Sequence, residues 1–382
     1  MLRGWGYHGT GSRDLRIDWL RGLAMTCVIV NHTKLSSVLT WFSYERFWTV
    51  TAAEVFVVLS GIVIGMVYGG KLRRGDWRGV VRGLSRRALV LYLAFLGVAI
   101  SVVLIQLAGF DVWSIRFIDA DSLDAGDWRD IALMRTGPWA FEIVCLYVWL
   151  VAAAAPCLIA LRYAGSVPLL GVSWALYLWY RLSPHALTSG EFETVFPILA
   201  WQLLFVHGLA IGYHRERIGA FIDARRKPLT IAAAAATCGF IAFALCNPWT
   251  EGPQLLHLNA LPPEHFAELY AQYFGLEELG AGRLLNLIVA LPLAYAVLTA
   301  FWKFSAPLGK VFVTLGQQSL GAFVLHVYAI MLIAHTTAAD GLWIHTALQV
   351  TAVLAIAALL NLMRRQSPRR AAMPAPARPL PV

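Results

Sequence analysis

Charge is scarce in this chain. Only 14% of its 382 residues are charged and 59% are hydrophobic, and a water-soluble fold of this size would need more polar side chains to cover its surface. The five cysteines form no CxxC pair and show no zinc-ligand spacing. Walker A, GxGxxG, HExxH and GxSxG motifs are also missing from the sequence. These absences argue against nucleotide hydrolysis, dinucleotide binding, metalloprotease chemistry and the hydrolase class, and we predict no metal site.

Long apolar runs are abundant instead. Ten segments are near the length of about 20 residues that crosses a bilayer. They lie at residues 17–37, 47–69, 88–110, 139–161, 165–181, 194–214, 229–247, 283–302, 314–336 and 341–363. We predict an all-α, polytopic membrane helix bundle with about ten transmembrane helices, in which residues 1–363 form a single membrane-embedded domain. Residues 364–382 are predicted to form a disordered, basic, Pro-rich cytoplasmic tail.

The basic residues predict the topology. With the N-terminus inside, 23 of the 31 Lys and Arg residues lie in inner segments, as the positive-inside rule requires. The predicted outer loops around 111–130 and 251–278 are acidic instead. Both termini are therefore predicted to be cytoplasmic. Contact with anionic lipid headgroups accounts for the net charge of +9, so we predict membrane lipid as a partner and no nucleic acid.

The first span contains three ionisable residues, Asp18, Arg21 and His32. Ionisable side chains inside a membrane are costly and mark candidate functional sites. Arg21 and His32 are eleven residues apart, so they share one helix face and lie about 16 Å apart along the axis. Asp18 precedes Arg21 by three residues and is predicted to pair with it. In the predicted topology, Arg21 lies near the cytoplasmic surface and His32 lies in the outer half.

Glu54 in the second span lies about 10 Å below the outer surface, at a depth that matches His32. A carboxylate beside an imidazole fixes its tautomer and stabilises the imidazolium. We predict that His32 is a catalytic base and that Glu54 orients it. The alternatives are a hydrogen-bonded packing histidine and a buried carboxyl that stays neutral.

Further polar residues occur in the sixth and ninth spans. The sixth contains Trp201 and Gln202, and the ninth contains Ser319 and His326, which are seven residues apart on one helix face. We predict that these residues support the site and that Gln202 or Ser319 donates a hydrogen bond to an oxyanion. The alternative is that they link neighbouring helices.

A basic run at 71–87 precedes the third span and includes Arg82, Arg86 and Arg87. Such a run can act as a topology signal and have no other role. It can also bind a phosphorylated ligand together with Arg21, because guanidinium groups pair well with phosphate. We predict that these four arginines bind the donor at the inner membrane edge.

Four segments together resemble a known family. They are RIDWLRGLA with NH in the first span, AAEVFVVLSGIVIGMVYG in the second, WQLLFVHGLAIG in the sixth and LGQQSLGAFVLH in the ninth. The combination resembles the OpgC family, whose members are associated with succinylation of osmoregulated periplasmic glucans. An Arg and a His separated by ten residues also resemble the signature of the wider acyltransferase type 3 superfamily. The resemblance covers residues 13–363.

The resemblance implies O-acyl transfer in the bacterial inner (cytoplasmic) membrane. The implied donor is acyl-CoA, with succinyl-CoA favoured, and the implied acceptor is a hydroxyl of a periplasmic glucan or another extracytoplasmic glycan. His32 matches the catalytic histidine and Arg21 its partner. A succinyl carboxylate would need a cation in the outer half, for which Lys34, Arg135 and Arg181 are candidates. Direct transfer and an acyl-histidine intermediate both stay open, as does a homo-oligomer.

Two other classes of protein compete with this interpretation. One is a ten-helix transporter or glycan flippase whose buried His and Glu residues relay protons. The other is a structural partner of a glycan synthase. Release of CoA by the purified protein, with and without glycan, separates the acyltransferase from both.

Overall fold

The computed structural model describes residues 13–43, 47–250, 252–253, 256–336 and 341–366. The chain is mostly helical in these ranges and forms no strand in them, so the all-α class is confirmed. The helices are α1 (Leu15–His32), α2 (Val38–Trp41), α3 (Ala52–Arg73), α4 (Trp77–Leu107), α5 (Ala125–Ala132), α6 (Glu142–Tyr163), α7 (Ser166–Leu182), α8 (Ile198–Tyr213), α9 (Arg215–Ala224), α10 (Arg226–Leu245), α11 (Pro263–Tyr273), α12 (Ala281–Ala300), α13 (Trp302–Gln317), α14 (Ser319–Thr336) and α15 (Leu342–Gln366).

Seven of the described helices are long and apolar enough to cross a membrane, namely α3, α4, α6 with the short turn before it, α10, α12, α14 and α15. The other three predicted spans coincide with α1, α7 and α8, which have 18, 17 and 16 residues. α1 is the most charged of the three because it contains Arg16, Asp18 and Arg21. The count of ten spans and the side of each terminus stay predictions, and "inner" and "outer" below refer to that predicted topology.

The structure changes the bounds of three predicted segments. α4 begins at Trp77, eleven residues before the predicted span, because the Asp76 side chain caps its first turn. The predicted span 314–336 is divided, since α13 ends at Gln317 and α14 starts at Ser319. α15 continues to Gln366, and the rest of the predicted tail, from residue 367, lies outside the described residues.

The start of α1 is fixed by Asp14. Its side chain accepts a hydrogen bond from the Arg16 backbone nitrogen at 3.0 Å, and it also binds the Arg16 guanidinium and the Tyr295 hydroxyl. Burial alone would raise the pKa of Asp14, but the hydrogen bonds from Arg16 and Tyr295 hold that pKa below its ordinary value. Asp14 therefore stays charged at the helix N-terminus, where negative charge is favourable.

Close backbone crossings hold α1 and α3 in place. At the crossing of α3 and α8, a Cβ on Gly61 would overlap the carbonyl oxygen of Phe205. At the crossing of α1 and α13, a Cβ on Gly22 would overlap the carbonyl oxygen of Phe312, and one on Gly316 would overlap that of Asp18. Small residues at such positions let helix backbones approach closely within a membrane. The helices that carry Arg21, His32 and Glu54 are thereby fixed against their neighbours.

Candidate active site

His32, the last residue of α1, pairs with His326 of α14. The His32 Nδ1 atom lies 3.2 Å from His326 Nε2, and His326 Nδ1 lies 2.5 Å from the carbonyl oxygen of Phe323. Because a carbonyl oxygen only accepts, His326 Nδ1 must carry the hydrogen, and the Nε2 of a neutral His326 is then an acceptor. His32 therefore donates through Nδ1 and keeps a lone pair on Nε2. This assigns the tautomers from the hydrogen-bond network.

The two histidines differ in exposure. His326 is fully buried, whereas His32 is half-buried. The indole of Trp139, in the turn Trp139–Phe141 before α6, packs against the His32 ring with centroids 5.0 Å apart. Trp139 is itself held by a 2.9 Å hydrogen bond from its Nε1 to the carbonyl oxygen of Ser114. The ring of His32 is thus fixed on two sides while its Nε2 lone pair is left for chemistry.

Arg21 is buried on α1 and donates from Nη2 to the Ser319 hydroxyl at 2.7 Å. The predicted pair of Asp18 with Arg21 is wrong, since Asp18 accepts two hydrogen bonds from Arg13 at 2.6 and 2.7 Å. The guanidinium fork of Arg13 thus contacts both carboxylate oxygens of Asp18. Arg21 Nε has no hydrogen-bond partner. Among the described residues, the Arg21 guanidinium is therefore a buried cation without a bonded carboxylate.

A cavity of about 400 Å³ lies beside Arg21. Arg86, Arg87 and Ser319 line it together with Arg21, so the structure brings three of the four predicted donor-binding arginines to one place. Arg82 is exposed and does not line the cavity. That these arginines bind a donor stays a prediction.

Phe323 connects this cavity to the histidine pair. Phe323 lines the cavity, its carbonyl oxygen accepts from His326, and its ring lies 5.5 Å from the His326 ring. Phe56 packs against the Phe323 ring with centroids 5.2 Å apart. The pairs Arg21–Ser319 and His32–His326 occur in the same order along α1 and α14, so the two helices run parallel. The cations and the histidines therefore lie at opposite ends of one helix contact.

Both carboxylate oxygens of Glu54 are bound by groups other than His32, so the predicted His32–Glu54 pair is wrong. Oε1 accepts from Arg283 Nε at 2.6 Å. Oε2 accepts from the Thr51 backbone nitrogen at 2.8 Å and from the Thr51 hydroxyl. Thr51 and Glu54 form the capping box of α3. Glu54 thus caps one helix and binds α12 through Arg283.

The prediction of Gln202 as an oxyanion donor is also wrong. Its amide nitrogen donates to the carbonyl oxygens of Ser173 and Leu199 at 2.8 and 3.0 Å, which uses both hydrogens. Gln202 therefore links α7 to α8, which was the structural alternative. The neighbouring Trp201 is fully buried and packs against Phe196 with ring centroids 5.0 Å apart. Both residues belong to the packed interior of the bundle.

The sequence interpretation missed Trp139, Phe323 and Tyr147. The Tyr147 hydroxyl lies 3.4 Å from that of Ser60, and both residues line the cavity. Aromatic residues are so frequent in this chain that no local pattern distinguishes these three. Only their positions beside Arg21 and the two histidines mark them.

The fold and the site define a polytopic helical membrane protein in which a hydrogen-bonded histidine pair adjoins a cationic cavity. The chain belongs to the OpgC protein family, whose model matches residues 13–367. No curated protein and no solved structure matches the chain. Membership confirms the resemblance found in the sequence, and it indicates a membrane acyltransferase that acts on glucans.

Proposed function

We propose that this protein transfers a succinyl group from cytoplasmic succinyl-CoA to a hydroxyl of a periplasmic glucan. The observation that carries the proposal is the hydrogen-bonded series from the Phe323 carbonyl through His326 to His32. It leaves the Nε2 atom of a half-buried imidazole as a base. Family membership supplies the reaction class.

The donor binds at the inner end of the cavity. Arg21, Arg86 and Arg87 offer guanidinium groups to its phosphates, and such charge-assisted pairs are the strong ones. The unpartnered Nε of Arg21 supports an anionic ligand, because a buried unpaired donor is costly. The pantetheine arm follows the cavity toward Phe323, and the thioester reaches His32. The distance of about 16 Å between Arg21 and His32 along α1 suits such an arm.

In the transfer step, His32 Nε2 takes the proton of the sugar hydroxyl while that oxygen attacks the thioester carbonyl carbon. His326 accepts the hydrogen bond from His32 Nδ1 and stabilises the imidazolium. The tetrahedral intermediate then collapses with cleavage of the carbon–sulfur bond. The departing sulfur receives the proton from His32, so the products are the glucan ester and CoA, and His32 is neutral again.

The test measures CoA release from succinyl-CoA by the full-length protein in lipid nanodiscs. The acceptor is periplasmic glucan extracted from cells that lack the gene. His32→Ala should lower glucan-dependent CoA release by roughly 10²- to 10⁴-fold, the usual contribution of a general base. His335→Ala is the matched control, because His335 is an exposed histidine at the outer end of α14.

Mass spectrometry of the glucan product identifies the acyl group. Wild-type activity in a folded His32→Ala protein would contradict the mechanism. Glucan movement across a vesicle membrane without CoA release would favour the transporter instead.

A further inference from the structure

The three outer cations that the sequence suggests as partners of an acyl carboxylate differ in their contacts. Arg135 pairs with Asp130 at 3.2 Å, and Arg181 pairs with Glu278. Lys34 is exposed, and the structure of the described ranges gives it no carboxylate partner. Of these three side chains, Lys34 is therefore the one whose positive charge can pair with a bound carboxylate.

Lys34 and His32 contact the same side chain. The Lys34 Nζ atom lies 4.8 Å from the centre of the Trp139 ring, and the His32 ring centre lies 5.0 Å from it. The ammonium and the imidazole are therefore no more than about 10 Å apart. Two carbonyl carbons of a four-carbon dicarboxylic acyl group are about 4 Å apart. A hydrogen bond from the ammonium to the carboxylate adds about 3 Å, and the sugar oxygen held by His32 approaches the thioester carbon to about 3 Å. An acyl group of this length spans the gap.

The backbone at Lys34 is held in an unusual conformation. Its φ of 53° lies in the left-handed region, which is unfavourable for a residue other than glycine. The Lys34 nitrogen donates to the carbonyl oxygen of Asn31 at 3.2 Å. This turn ends α1 directly after His32 and sends the Lys34 side chain across Trp139.

The order of groups along the donor fits this arrangement. A donor whose phosphates bind Arg21, Arg86 and Arg87 leads with its acyl group when it enters from the inner side. When its thioester carbonyl stops at His32, the far end of the acyl chain extends past His32 in the outward direction. Lys34 follows His32 by two residues on that side.

We infer that Lys34 binds the terminal carboxylate of the acyl donor and selects dicarboxylic acyl groups over acetyl. This inference rests on the proposed function and adds a residue that determines specificity. A charge-assisted hydrogen bond to the carboxylate favours the dicarboxylic donor. Acetyl leaves Lys34 without that partner.

The test compares succinyl-CoA with acetyl-CoA as donors for the full-length protein in nanodiscs, with the extracted glucan as acceptor. Lys34→Met keeps an unbranched chain of similar length and removes the charge. The ratio of kcat/KM for succinyl-CoA to that for acetyl-CoA should fall roughly 10- to 100-fold, mostly through the KM of succinyl-CoA. Lys34→Arg should retain most of the ratio. Arg181→Met, which removes another outer charge, should leave the ratio unchanged.

The outcomes separate this inference from the proposed function. An unchanged donor ratio in an active Lys34→Met protein overturns the role of Lys34 and leaves the acyltransferase standing. A wild-type protein that turns over neither donor overturns both. Lys34→Gln repeats the measurement with a polar side chain, so that a folding defect of the Met variant does not decide the result.

Discussion

Two buried polar clusters in this protein differ in how their charges are compensated. Glu54 and Arg283 are 1% and 2% exposed, and they neutralise each other at 2.6 Å. The second cluster has a basic imidazole nitrogen on His32 and a guanidinium on Arg21 that binds only a hydroxyl. Arg21 and His326 are buried like Glu54 and Arg283, so burial alone does not distinguish a structural group from one near the reactive site. The partners of each group make that distinction.

The largest effect on stability is expected from the first cluster. Glu54→Ala removes the partner of Arg283 and the cap of α3, and an orphaned buried charge costs about 3–5 kcal/mol of unfolding free energy. The measurement is the unfolding midpoint of the protein in detergent. Glu277→Ala, at an exposed carboxylate, should leave the midpoint unchanged.

The double variant Glu54→Leu with Arg283→Met should recover part of this loss, because it leaves no charge buried. A Glu54→Ala protein that unfolds like the wild type but loses glucan acylation would contradict this structural role and would show that Glu54 takes part in the reaction.

A smaller effect, on binding, is expected from Arg21→Gln. Loss of a charged hydrogen bond to the donor should raise the KM for succinyl-CoA roughly 10- to 100-fold. Stability should change little, because the wild-type guanidinium has no carboxylate to lose. Steady-state kinetics and thermal unfolding give the two readouts. Arg82→Gln is the control, because Arg82 lies outside the cavity, and an equal KM increase in that variant would refute the assignment of the cavity.

The smallest of these effects is expected from His326→Phe. The hydrogen bond to His326 strengthens by about 1 kcal/mol when His32 becomes charged, so kcat should fall about 5- to 10-fold with little change in KM. His326→Gln keeps an acceptor for His32 Nδ1 and should restore part of the rate. A loss as large as that of His32→Ala would instead assign His326 a direct part in proton transfer.

The sequence predicted the helical class, because every predicted span contains a described helix, and it predicted that Arg21, Arg86 and Arg87 would come together. It failed on the partner of His32, since depth along a helix carries no lateral information. His326 lies twelve residues into its predicted span and His32 fifteen into its own, a difference of about 5 Å, so depth matched both His326 and Glu54.

A local signal existed for Glu54. Residues 51–54 read TAAE directly before an apolar run, which is the signature of a capping box. No comparable signal marked the break at Gln318. The polar pair Gln317 and Gln318 lies within one apolar run, and hydropathy cannot show where a helix changes direction.

The crossing of α1 with α13 has a consequence for how the substrates must move. Gly22 and Gly316 mesh two backbones so closely that sliding by one residue would bring a larger side chain against a carbonyl oxygen. α1 therefore cannot shift against α13, and Arg21 and His32 keep a constant spacing along it. Under the proposed function, the donor must therefore move along α1 to bring its thioester to His32, because α1 itself stays in place.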